Sequence, residues 1–537
     1  MDRKAAKEAF VSGLSGASKA EVFALVASLS LSIVVCELAK TGRRFKSWRF
    51  TALMELVLIV YLQLLLCTGA LPLAPTAWTW AALAAAGCAG QLLAAPPSHR
   101  GLPSSPPGSE AALRALVGKR KSFIGAFRGA LMVATCIAIL AVDFHVFPRR
   151  YAKAETYGTG YMDVGVGGVV LAAGLVSPVA TSGTDGTPWK PAPLLQRIWT
   201  GLRGAAVCWV LGLARLVTTR AVDYQEHVGE YGVHWNFFDT IAVVALLGAA
   251  VAVPPGRLGA AAVAVTAAHQ AALTLGGLGP WVMSPQRDPS SLLSLNKEGL
   301  VSAPGFYALF LWGAALARTM HTGLQRAVAQ AVTCAGAVAG GGEGAAGKQG
   351  PAAAPRRRRL ALAEPVLRWW LAMVGLDAGL WAAVAALETY VEPVSRRSCN
   401  AAYVLWIAAQ LLAGLLPLAL AQALAAVTAA ADGGAPGQAP PQAAAEADGA
   451  KGGEPTEAKA GAGAGSLPAW GPTILQAVSA AQLPVFLVAN LLTGAVNLAL
   501  DTMQVRDWPA RALLGVYIAA VCAVALALQR WGLRLKL

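Results

Sequence analysis

Charged residues are scarce in this sequence. They make up 13% of the 537 residues, while hydrophobic residues make up 56%; soluble domains carry about 25% charged residues. A soluble protein of this length would be several domains, each with a polar surface. Here apolar segments of membrane-spanning length follow one another instead. The sequence therefore predicts an all-α, polytopic integral membrane protein.

Signatures of several other protein classes are also missing. The sequence contains no P-loop, no dinucleotide fingerprint, no GxSxG elbow and no zinc pattern. Its eight cysteines are scattered, nearly all in apolar segments, and we interpret them as small packing residues. Residues 1–20 are polar and amphipathic, and the first apolar run is long enough to span a membrane. We therefore expect no cleavable signal peptide.

The net charge of +15 arises from Lys and Arg in short loops between the apolar segments. Such residues set membrane topology and contact anionic head groups. Membrane lipids, and not nucleic acid, are therefore the expected partners. The excess of Lys and Arg in one set of alternate loops predicts a luminal N-terminus and a cytosolic C-terminus.

About thirteen transmembrane helices are expected. Two Ala/Gly/Pro-rich linkers, expected to be disordered, divide the chain. The expected order is an interfacial segment (1–20), spans one to nine (21–340), a linker (341–362), spans ten and eleven (363–429), a linker (430–470) and spans twelve and thirteen (471–537). The first nine spans include a charged loop at 143–163 and a polar loop at 220–236. Alternation of the spans places both loops on the luminal side with the SLNKEG and VSRR loops. Four polar loops are thus expected to converge into one site.

The charged loop is the candidate active site. In ALMVATCIAILAVDFHVFPRRYAKAETYGTGYMDVGVGG, an apolar span ends at Asp143 and a proline-broken, charged loop follows. Polar groups at membrane depth are expensive to hold. Asp143 offers the carboxylate that a general base for a hydroxyl group requires, and Lys153 is placed to pair with it, to orient a substrate or to stabilise an oxyanion. The competing interpretation is a structural ion pair at the interface.

Other charged residues of this loop have two interpretations each. Arg149 and Arg150 suit a phosphate, because guanidinium presents paired donors; anchoring to lipid head groups explains them equally well. His145 is either an acid or base or an interfacial histidine without a role.

The 220–236 loop carries a second polar group. Glu226, His227, Glu230 and His234 suggest a metal site, a network lining a polar substrate, or structural hydrogen bonds. The string lacks the HExxH order, and Tyr231–Gly232 interrupts a helix, so no metal is predicted. The remaining candidates for substrate binding are Trp235, Asn236, Asn296, Arg396 and Arg397.

Polar residues within spans are costly and are functional candidates by default. They are Asp377, Arg215, Asn490 and Asn497. Polar contacts between helices are the commoner explanation for such residues.

Long, unusual strings in this chain resemble the GPI inositol acyltransferase family. They are KEAFVSGLSG, AVDFHVFPRR, YQEHVGEYGVHWNFF, SLNKEGL, VSRRSCNAAYVLWI and FLVANLLTGAVNLALDT, in the order of that family. The resemblance covers the chain apart from its linkers. Three positions depart from the family pattern: His145 stands where Pro is usual, Tyr151 where Phe is usual and Lys297 where Arg is usual. Because the family lacks a histidine at 145, we discount His145 as an essential base.

The resemblance implies an endoplasmic reticulum enzyme with thirteen membrane helices. Such enzymes transfer a fatty acyl group, typically palmitoyl from palmitoyl-CoA, to the inositol of glucosaminyl-phosphatidylinositol. Asp143 and Lys153 match the family's catalytic pair. Acyl-CoA is then a co-substrate, and no permanently bound cofactor is expected.

Two other functions are considered. A transporter or flippase of a phosphorylated lipid or sugar would use the same polar loops, but the sequence shows no convincing internal repeat. A multi-span acyltransferase with a buried catalytic histidine would depend on His269, which has no supporting motif.

Overall fold

Thirteen long helices, α1 to α13, form most of the part of the chain that the structure describes. A computed structural model describes residues 9–10, 12–41, 47–93, 113, 116–118, 121–184, 187–221, 228–340, 353–432 and 473–532. In order, the long helices are Lys19–Thr41, Trp48–Cys67, Leu73–Leu93, Ser122–Ala141, Asp163–Leu175, Leu194–Ala221, Phe237–Ala250, Leu258–Thr274, Lys297–Gly340, Ala353–Tyr390, Ala401–Asp432, Gln482–Ala499 and Asp507–Arg530. Each coincides with one of the thirteen predicted spans, and the all-α polytopic fold is confirmed.

Nine helices of the described chain are long and apolar enough to cross a membrane by length and composition. The other four are α3, α5, α7 and α8. Helices α5 and α7 have 13 and 14 residues, whereas a helix that crosses the hydrocarbon core needs about 20. The number of thirteen crossings and the luminal position of the N-terminus stay predictions.

Successive long helices alternate in direction, which gives the bundle two ends. At one end, Lys19 at the start of α1 pairs with Glu388 near the end of α10, at 2.8 Å. At the other, Lys40 near the end of α1 pairs with Glu55 of α2, at 2.6 Å. We call the first the site end, because Asp143 lies there, and the second the far end.

The helices approach closely where glycine leaves space. A Cβ on Gly129 of α4 would lie 2.0 Å from the carbonyl oxygen of Leu475, in a short helix, Thr473–Ala480, that packs against α4. Buried Glu55 accepts from the backbone N–H groups of Thr473 and Ile474, both at 2.9 Å, and so caps that helix. Small residues of this kind permit tight packing within a membrane.

One expectation about the segments outside the spans needs correction. Helix α10 begins at Ala353, and Arg359 donates to the carbonyl of Gln91 at 3.2 Å, so the predicted linker at 341–362 is wrong for its last ten residues. Residues 12–18 run largely extended: Ala17 N–H donates to the carbonyl of Thr159 at 2.7 Å. They therefore lie against the charged loop. Residues 433–472, most of the second linker, and residues 1–8 lie outside the described part.

Candidate active site

Asp143 lies in a turn that continues α4 at the site end. Its N–H donates to the carbonyl of Leu140 at 3.2 Å, and the fully buried rings of Phe144 and Phe147 anchor the turn that follows. Asp143 is only 3% exposed. Its Oδ2 accepts from Asn497 Nδ2 of α12 at 2.7 Å. The carboxylate therefore lies in largely desolvated surroundings at the end of an apolar helix.

Arg149 organises the loop that follows Asp143. Its guanidinium donates to the carbonyls of Val142 at 2.9 Å, Phe144 at 3.0 Å and Phe147 at 2.8 and 3.2 Å. Four of its five N–H donors are therefore engaged by the backbone. Burial lowers the pKa of Arg149 to about 10, although Asp143 opposes this shift. This geometry favours a structural role, and phosphate binding by Arg149 stays a prediction.

Arg150 and His145 lie on the outer side of the loop. Arg150 Nε donates to Glu21 at 3.0 Å, and its side chain is 53% exposed. The ring of His145 packs edge-on against Phe10, with centroids 4.6 Å apart. Arg150 is accessible to an anion, whereas His145 has the surroundings of an interfacial residue.

Lys153 pairs with a different carboxylate from the one expected. Its ammonium donates to both oxygens of Glu230, at 2.9 and 2.8 Å, and the predicted ion pair with Asp143 is not the one formed. Glu230 is 77 positions away in the 220–236 loop, and sequence proximity gave no signal for this partner. Lys153 remains 38% exposed and can therefore also face a substrate.

Asp163 and Arg396 join the charged loop to the VSRR loop. Arg396 Nε donates to Asp163 Oδ1 at 2.8 Å, and both side chains are buried. The other oxygen of Asp163 accepts from the N–H groups of Ala154 at 3.0 Å and Gly160 at 2.7 Å. Burial alone would lower the pKa of Arg396, but Glu230 and Asp163 outweigh it and raise that pKa. Arg396 therefore stays charged and links the VSRR loop to the charged loop through an ion pair with Asp163.

The SLNKEG loop holds the 220–236 loop through Asn296. Its Oδ1 accepts from the N–H groups of His234 at 2.8 Å and Trp235 at 3.1 Å. Asn236 caps α7 together with Asp239. Gly232 has φ 122°, and a Cβ there would lie 2.6 Å from the Cα of Asn296, so the two loops meet where only glycine fits.

Glu298 links the SLNKEG loop to the VSRR loop. It accepts from Arg397 Nη2 at 2.8 Å and from both terminal nitrogens of Arg287, at 2.7 and 2.9 Å. Lys297 is fully buried and donates to three backbone carbonyls, those of Trp281, Ser284 and Gln286.

Four polar loops therefore meet at the site end, as predicted. Lys153, Glu230, His234, Asn296, Arg396 and Arg397 all belong to this assembly. Asp143 lies at the start of the charged loop, bonded to Asn497 of α12. Direct coordination of substrate by these residues stays a prediction. Glu226 and His227 lie outside the described residues. Within the described chain, no group of three or more His, Cys, Asp or Glu is arranged to hold a metal.

The site also includes residues absent from the predicted site. Asp163 and Glu298 are the buried carboxylates that tie the loops, and Asn497 bonds to Asp143. A signal for Asn497 existed, because an amide inside a span is costly unless it has a partner. Its partner was not evident, since the bond crosses 354 positions of sequence.

The fold and the site define a multi-span α-helical membrane protein with a buried polar site at one end of its bundle. The GWT1 family model matches residues 3–528. "GPI-anchored wall transfer protein 1" of Emericella nidulans is 34% identical, over 100% of this chain and 99% of its own length. The protein of the same name in Aspergillus oryzae is 32% identical over 99% of both chains. An uncharacterized Arabidopsis thaliana protein is 32% identical over 78% of this chain and 75% of its own.

This chain belongs to the GWT1 family. The family assignment agrees with the resemblance noted in the sequence, and it covers all four polar loops.

Proposed function

We propose that this protein acts in GPI-anchor biosynthesis as a membrane O-acyltransferase. It transfers a fatty acyl group, typically palmitoyl, from acyl-CoA to the inositol hydroxyl of glucosaminyl-phosphatidylinositol. The observation that carries the proposal is a buried carboxylate, Asp143, in a charged loop that is joined to the 220–236 loop through Lys153 and to the VSRR loop through Asp163, at one end of an apolar bundle. Membership of a family whose relatives are named for GPI-anchored wall transfer supports it.

In the proposed reaction, Asp143 takes the proton of the inositol hydroxyl while the oxygen attacks the thioester carbonyl. The tetrahedral intermediate collapses to an ester as the C–S bond breaks, and the leaving CoA thiolate takes up the proton that Asp143 accepted, which restores the carboxylate. Lys153 was expected either to orient Asp143 or to steady the oxyanion. Its pairing with Glu230 favours the second role, because that carboxylate holds the ammonium beside the loop junction.

The site offers different surroundings to the different parts of the substrates. Arg150 is exposed at the loop surface and suits a phosphate. An apolar cleft of about 430 Å³ lies between α8 and the start of α9, lined by residues such as Val265, Leu300 and Val301, and suits a hydrocarbon tail. His269 also lines this cleft, but its Nε2 lies 3.0 Å from the carbonyl oxygen of Ser398, which fits a structural role.

The proposal includes the endoplasmic reticulum membrane as location, acyl-CoA as co-substrate and no permanently bound cofactor. The test incubates purified protein, reconstituted in sealed lipid vesicles, with radiolabelled palmitoyl-CoA and glucosaminyl-phosphatidylinositol. Label on the inositol ring supports the proposal. Movement of the glycolipid between leaflets without labelled product would indicate a flippase, and label on another acceptor would indicate a different acyltransferase; either result would overturn the assignment.

A further inference from the structure

Helices α4 and α12 lie side by side in one fixed register. Toward the far end, Gln482 Nε2 donates to the carbonyl of Arg128 at 3.2 Å, and Gln482 Oε1 accepts from Arg128 Nη2. At the site end, Asn497 donates to Asp143. The two pairs have the same sequence separation, 354 positions. The two helices therefore run parallel in a constant register. The hydrogen bonds between Gln482 and Arg128 fix this register, and the register determines which residue of α12 contacts Asp143.

The orientation of the Asn497 amide is fixed by its own helix. Nδ2 lies 3.1 Å from the carbonyl oxygen of Thr493, which can only accept, so the NH₂ group and not the oxygen occupies this position. The same NH₂ group faces Asp143. On the other side, the hydroxyl of fully buried Thr502 lies 3.5 Å from Asn497 Oδ1. The Thr493 carbonyl and the Thr502 hydroxyl thus both orient the amide so that its NH₂ group faces Asp143.

We propose that Asn497 is a positioning residue for Asp143. Its amide replaces the water that a carboxylate loses on burial and fixes the rotation of the carboxylate relative to α4. This inference rests on the proposed function, in which Asp143 receives the hydroxyl proton. It assigns the last turn of α12, far from the charged loop in sequence, to the acyl-transfer site.

The test compares Asn497→Leu, which keeps the size of the side chain, with Asn490→Leu. Asn490 lies two turns earlier on α12 and donates to the carbonyl of Phe486 at 2.7 Å. For Asn497→Leu we expect kcat to fall about 10- to 100-fold, as expected for a lost hydrogen bond to a charged group, with KM for both substrates within about twofold. Asn490→Leu should transfer at the wild-type rate.

A second variant gives a readout that a structural role would not move. Asn497→Asp keeps the shape but sets two carboxyl groups together, and such a pair shares a proton. Activity should be lost where the pH is high enough to charge both carboxyl groups, and it should return in part as the pH is lowered and the pair takes up one proton, since the introduced carboxyl then donates to Asp143. This variant decides the matter if Asn497→Leu does not fold.

Three results would overturn the inference: kcat of folded Asn497→Leu within twofold of wild type, an equal loss in Asn490→Leu, or a wild-type pH profile for Asn497→Asp. Wild-type protein without any transfer would instead overturn the proposed function.

The contact is then tested by thermal unfolding of Asp143→Asn, Asn497→Leu and the double variant. Non-additive effects support the contact, and additive effects refute it.

Discussion

Arg149 gives the sharpest test of how the charged loop is built. Its guanidinium reaches three backbone carbonyls through four hydrogen bonds. In Arg149→Lys the charge stays, but an ammonium lacks the planar fork that spans these acceptors. We expect at least two bonds to be lost, at about 1 kcal/mol each, and a further cost for buried carbonyls left without donors. The total loss of stability is about 2–4 kcal/mol.

Thermal unfolding of the purified variant in detergent measures this loss. The matched control is Arg150→Lys, because Arg150 is the next residue, is half-exposed and makes one ion pair with Glu21; exposed pairs contribute about 0–1 kcal/mol. Arg149→Lys should melt well below both wild type and the control. If Arg149→Lys has the melting temperature of the wild type and only its KM for the glycolipid is raised, Arg149 binds phosphate and the structural role is refuted.

Two further variants test the loop junction. Glu230→Gln removes the carboxylate that holds Lys153; we expect kcat to fall about tenfold, the scale of one charge-assisted hydrogen bond. The melting temperature should fall as well, because Glu230 also lies 3.9 Å from buried Arg396. Unchanged kcat would contradict a role of the pair in transfer. Gly160→Ala would put a Cβ 2.0 Å from the carbonyl oxygen of Ala152 and should lower the melting temperature. In the control Gly375→Ala the new Cβ meets nothing within 4 Å, and the melting temperature should stay at the wild-type value. Equal melting temperatures of the two alanine variants would show that the tight approach at Gly160 is not required.

The helices were predictable because apolar length determines them. Each of the thirteen expected spans coincides with a helix, but the start of α10 at Ala353, before the expected boundary at 363, was not foreseen. The first residues of α10 include four consecutive arginines, Arg356–Arg359, and are more polar than the span that they precede. Helix α10 also continues through Pro365, which sequence reasoning treats as a break.

The convergence of the polar loops was predictable from alternation of the spans, but their pairing was not. A charged residue in a loop near the membrane is expected to have a partner, but the sequence does not indicate which residue the partner is. Lys153 joins Glu230 across 77 positions, and Asp143 meets Asn497 across 354. These choices depend on helix register and on glycine contacts such as Gly232 against Asn296, which exist only in the folded bundle.

The central claim is that Asp143 is the base for acyl transfer. The most direct measurement is the rate of formation of acyl-inositol by Asp143→Asn, with purified protein, palmitoyl-CoA and glucosaminyl-phosphatidylinositol. A general base contributes about 10²–10⁴-fold, so we expect a loss of that size while exposed Asp288→Asn keeps the wild-type rate. Near-normal transfer by folded Asp143→Asn would contradict the account.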